Sequence, residues 1–135
     1  MQNKNLVDKW CAFAEMDYLT AIHLSNNMYP KPREIICYHC QQAIEKMLKA
    51  ILLAYGNAIL KTHDLALLAE NLQNFTDVSE RILEICENLT PYGVKFRYPQ
   101  ELYLEDHHVA EALEDCKEIY EWLKEKIQVM ENENV

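Results

Sequence analysis

The chain has 135 residues, half of them apolar, and only two glycines and four prolines, so it suits one long-helix domain with a single core rather than a turn-rich sheet. Its formal charge of −9 is uneven: residues 1–64 hold seven Lys/Arg against six Asp/Glu (+1), and residues 65–135 hold six against sixteen (−10), which excludes non-specific DNA binding. No apolar run reaches the roughly 20 residues of a membrane span, and the opening MQNKNLVDKW lacks a signal-peptide core, so a cytoplasmic protein without membrane attachment is expected.

The first predicted helix covers about 5–27. Leu6, Trp10, Phe13, Ala14, Ala21 and Leu24 recur at three- and four-residue spacing and mark its buried face. Asp17 interrupts that face and is expected at its edge, paired with a neighbouring Lys, His or Tyr. The prolines of YPKP end the helix.

A second helix over 33–55 is apolar on two sides: Ile36, Cys40, Ala43, Met47 and Ala54 on one, Ile44, Leu48, Ile51 and Leu52 on the other. Such a helix belongs in the middle of a bundle. Its polar strip is Tyr38, Gln42, Glu45 and Lys49, and Glu45 and Lys49 can pair across one turn. Gly56 is a natural stop. The CYHC run offers Cys37, His39 and Cys40, but no second Cys/His cluster completes a zinc set, so buried thiols without metal are expected. The five cysteines are an odd number, each within a helical pattern, and read as free thiols.

The stretch LKTHDLALLAENLQNF starts a third helix, with Thr62 as N-cap, Asp64 in the first turn and Leu65, Leu68, Leu72 and Phe75 buried. Free backbone N–H groups at that helix start favour an anion beside Lys61, Thr62 and His63. Asp77 and Glu80 have capping-box spacing before a fourth helix carrying Val78, Ile82, Ile85 and Leu89. The last helix runs from Val109 through Leu113, Cys116, Tyr120, Leu123 and Ile127 to Met130. Residues 1–4 and 131–135 are expected to fray. One all-α domain over 1–135 results, an up-and-down bundle of four long helices and one short one. With two glycines there is no phosphate loop, and no cofactor is called for.

In order, QQAIEKMLKAIL, KTHDL and RYP before a final amphipathic helix, with the opening WCAFAEMDYLTAIHL, resemble the HEPN domain proteins over nearly the whole chain. The resemblance implies a dimerising helical bundle, often paired with a minimal nucleotidyltransferase in a toxin–antitoxin-like system. Many members are metal-independent ribonucleases using an arginine and a histidine four to six residues apart. Arginine neutralises the scissile phosphate and histidine moves the proton of the attacking hydroxyl. Here the positions at that distance from Arg97 are Leu102, Tyr103 and Leu104, which cannot serve. Arg33 and His39 have the spacing, but at the start of the second helix. The expectation is therefore a non-catalytic module that binds a nucleotide or RNA phosphate, or a cognate nucleotidyltransferase. Its ligand-binding candidates are Arg97, Tyr98, His63, Lys46, Lys49, Gln42, Glu45 and Asp64. The alternatives are a ribonuclease with an atypical site, Arg97 working with His63 or His107, and a purely structural helical partner.

Overall fold

The computed structural model describes residues 1–93 and 103–133; Arg97 and Tyr98 lie outside them. The described residues form five α-helices and no strand: α1 (Lys4–Asn27), α2 (Arg33–Ala54), α3 (Leu65–Leu72), α4 (Glu80–Leu89) and α5 (Asp106–Glu133), with a 3-10 turn (Thr90–Gly93) after α4. Three helices are long and two short. The third stops at Leu72, where residues 73–76 form a turn, and Phe75, expected in the buried stripe, stacks instead on the ring of Tyr55, 5.0 Å away.

The second helix is the hub, as its two apolar sides require. Fifteen of its residues are buried, against four in α1, and it packs against every other element, whereas α1 meets α5 only briefly. It ends at Gly56, whose φ of +89° suits glycine, with Gly56 N–H and Asn57 N–H donating to Leu53 O and Leu52 O.

The buried face of α1 keeps part of the expected stripe. Ala14 and Ala21 line it with Val7 and Asp17, and Trp10 and Leu24 pack partly against the core, while Leu6 and Phe13 are exposed. Alanines let the two backbones approach closely, so the seam centres on the small residues and Leu6 and Phe13 turn outward. The first residues, expected to fray, are tied to the end of α2: Gln2 N–H donates to Ala54 O at 2.9 Å and Asn3 Nδ2 to Leu53 O at 3.0 Å.

The two expected caps also shift. Asp64, rather than Thr62, is the N-cap of α3, accepting from Ala66 N–H and Leu67 N–H. Ser79, rather than Asp77, caps α4, accepting from Ile82 N–H at 3.2 Å. In each case the residue immediately before the helix has the extended backbone that points its oxygen at the free amides.

Candidate functional site

Four of the eight predicted site residues, Gln42, Glu45, Lys49 and His63, gather on or against one face of α2. The anchor is Glu45, 4% exposed. One carboxylate oxygen, Oε2, accepts from Lys49 Nζ at 3.1 Å, the pair that the i, i+4 spacing anticipates. The other, Oε1, accepts from His63 Nδ1 at 2.8 Å and from Gln41 Nε2 at 3.2 Å. Gln41 also donates to His63 O at 3.0 Å, and its own oxygen accepts from Gln42 Nε2 at 2.8 Å. The chain from 57 to 64 is thereby fastened to α2 at His63.

A buried carboxylate is costly unless each oxygen has partners, and here each has. Lys49 is nearly as buried, and its ammonium lies 5.9 Å from the centroid of the Trp10 ring. His63 is the reverse: its side chain is 76% exposed. Because a carboxylate only accepts, Nδ1 of His63 carries a proton, and Nε2 is turned to solvent with no partner among the described residues.

Lys46, the residue after Glu45, leans the other way. Its ammonium donates to Oδ2 of Asp17 at 2.5 Å, and Oδ1 of Asp17 accepts from His39 Nδ1 at 2.8 Å. Asp17 is thus paired with a Lys and a His across the α1–α2 seam, as expected of a carboxylate at that edge.

The predicted anion site at the start of α3 is not open. Asp64's own carboxylate holds the amides of Ala66 and Leu67, and Leu65 N–H donates to Thr90 Oγ1 at 3.2 Å. Asp64 is a cap in this structure, and His63 is placed by the turn it fixes. His107 and His108 stand apart, at the exposed start of α5, where His108 Nδ1 accepts from Glu105 N–H at 2.9 Å.

The thiols of α2 are packing groups. Burial pushes Cys37 up to about 12, so it remains protonated. No group of three or more His, Cys, Asp or Glu that could hold a metal forms among the described residues. Gln41, fully buried, is the member that pattern reading passed over. Its one signal is the four-residue step to Glu45.

The HEPN domain family model matches residues 7–127. The fold is similar to the crystal structure of TT1696 from Thermus thermophilus, with 26% identity and a TM-score of 0.74, covering 89% of this chain and 97% of that one. It is also similar to ST0689, an archaeal HEPN homologue, with 24% identity and a TM-score of 0.69, covering 90% and 97%. No curated protein matches the sequence.

Proposed function

The chain belongs to the HEPN domain family, and on that premise we propose that it is a non-catalytic, homodimeric module that binds the phosphate of a nucleotide or RNA beside His63. One observation carries this reading: a buried carboxylate, already neutralised by Lys49, holds an exposed imidazole by Nδ1. A histidine that only filled space would be packed in; this one is fixed from below and presented outward. Protonated at Nε2, it offers a second N–H to an acceptor while the first stays on Glu45. Gln42 and Lys49 lie along the same face of α2, whereas the Lys46 ammonium is turned to Asp17, and Arg97 and Tyr98 are retained as ligand candidates from the sequence.

The family's ribonuclease pair has no histidine at positions 102–104, which favours binding over cleavage. The Glu45–His63 dyad is nevertheless the arrangement a general base needs, and it supports the second reading, a metal-independent endoribonuclease with an atypical site. As a partner, the proposal names a minimal nucleotidyltransferase encoded beside this chain in a toxin–antitoxin-like pair.

Calorimetric titration with uridine 5′-monophosphate tests the first reading. A charge-assisted hydrogen bond contributes about 1.5–3 kcal/mol, so His63→Gln should weaken binding about tenfold or more. Equal binding by the two proteins would remove His63 from the site, and no binding by either would leave the structural-partner reading. RNA cleavage in excess EDTA, abolished by His63→Gln, would establish the ribonuclease instead.

A further inference from the structure

The arrangement at Glu45 occurs twice. In each copy a buried carboxylate gives one oxygen to a lysine of α2 and the other to Nδ1 of a histidine: Glu45 with Lys49 and His63, Asp17 with Lys46 and His39. We propose that Asp17, His39 and Lys46 form a second phosphoryl subsite in the α1–α2 seam, so that the ligand carries two phosphoryl groups a nanometre or more apart. This rests on the reading given for His63.

The seam had no structural need of these groups. Its other inward positions on α1 are Val7, Ala14 and Ala21, and an apolar residue in place of Asp17 would close it without any ionic pairing. Instead Asp17, 9% exposed, binds two cation-forming side chains that are each about one quarter exposed. As at His63, the carboxylate fixes the proton on Nδ1 of His39 and leaves Nε2 without a partner among the described residues. The edge of the His39 ring meets Tyr38, with centroids 5.6 Å apart, and this contact further limits its rotation. Both imidazoles are therefore preorganised rather than mobile, which lowers the ordering cost of binding, and each donates to a phosphate from Nε2 when that nitrogen carries a proton as well.

The spacing decides what they hold. His39 and Glu45 are six residues apart on α2, about 9 Å along the axis, and their directions differ by roughly 120°. That exceeds the reach of one phosphate. Phosphates along a nucleic-acid strand advance about 3.4 Å each, so about three steps or more bridge the pair. Gln42, three residues from each, stands between them. All these residues lie in the half of the chain with net charge +1, the half that tolerates a polyanion.

The test compares three probes on the intact protein: uridine 5′-monophosphate, 5′-phosphorylated tetra-uridylate, and a dinucleoside tetraphosphate. At least one two-phosphoryl probe should bind about tenfold or more tighter than the monophosphate, and which of the two does so identifies the source of the groups. His39→Gln should bring that probe down to the monophosphate level and leave the monophosphate affinity unchanged, whereas His63→Gln should weaken both. Lys46→Gln, which leaves Asp17 its imidazole, is the second variant should His39→Gln fail to fold, and should act like it. If the monophosphate binds through His63 but neither longer probe binds tighter, the second subsite is overturned and the His63 reading stands. If no probe binds, both fall.

Discussion

Glu45 shows why a buried charge is informative at the scale of one residue. Its removal leaves Lys49 charged and without its carboxylate inside the bundle, so Glu45→Ala should destabilise by about 3–5 kcal/mol. Replacing the pair together, Glu45→Leu with Lys49→Met, should recover most of that loss, since a well-packed apolar pair needs no compensation. The double variant should still bind phosphate poorly, because His63 loses the group that orients it. Recovery of stability together with full binding would show that Glu45 has no positioning role. Gly93 sets a second constraint: a Cβ there would lie 2.5 Å from Cδ of Gln41. Gln41 is fully buried and held at both ends of its amide, so it cannot swing aside. Gly93→Ala should cost about 1–3 kcal/mol, read as a lower Tm, and an unchanged Tm would refute the clash. Some of this was legible beforehand. The Glu45–Lys49 pair follows from a four-residue step, but His63 reaches Glu45 across eighteen residues of chain, and spacing carries no information about such a return.

At the scale of the helix, the sequence announced its elements more clearly than their faces. All five helices lie near where periodicity and breakers put them, with α3 ending at Leu72 short of the expected Phe75, yet part of the expected inner face of α1, Leu6 and Phe13, turns outward. Leu6 and Phe13 belong to the same three–four stripe as Ala14 and Ala21, and only contact with α2 shows that the seam takes the alanines with Val7 and leaves Leu6 and Phe13 outside. Caps were misplaced by two residues for a similar reason, since several oxygen-bearing side chains precede each start. Asp64→Ala should therefore lower stability by about 1 kcal/mol, whereas Thr62→Ala should change it little; equal effects in thermal melts would contradict the assignment. The thiols give a pH test. Burial raises Cys37 and Cys86 from 9.0 to about 12 and Cys11 to about 11, in part through Asp8 and Glu131. The unfolded chain ionises these groups first, so the stability they confer is fully present below pH 9 and is lost as pH rises from 9 towards 12. Chemical unfolding followed at pH 7, 9 and 10.5 should show a falling midpoint above 9. A flat profile would mean that the thiols are not buried as neutral groups.

At the scale of the whole molecule, the uneven charge decides how two copies can meet. The outward side of α1 presents Leu6, Phe13, Met16 and Leu19, with Phe13 62% and Met16 67% exposed, an apolar stripe of the kind that a second copy covers. The outward side of α5 presents Glu111, Glu114, Glu118, Glu121 and Glu125, all exposed, and a two-fold axis there would set like charges against each other. The stripe on α1 lies in the half of net charge +1, so pairing through it keeps the acidic halves, −10 each, apart. Two consequences separate this dimer from any other. Light scattering at micromolar concentration should give about twice 15.9 kDa, and moderate added salt should tighten the dimer, because it screens the repulsion between the two acidic molecules while leaving an apolar contact intact. Phe13→Glu with Met16→Glu should yield a folded monomer of unchanged helicity, since neither side chain is part of the core. A 15.9 kDa species for the wild type would end the dimer reading. A dimer that survives both glutamates would move the interface off α1.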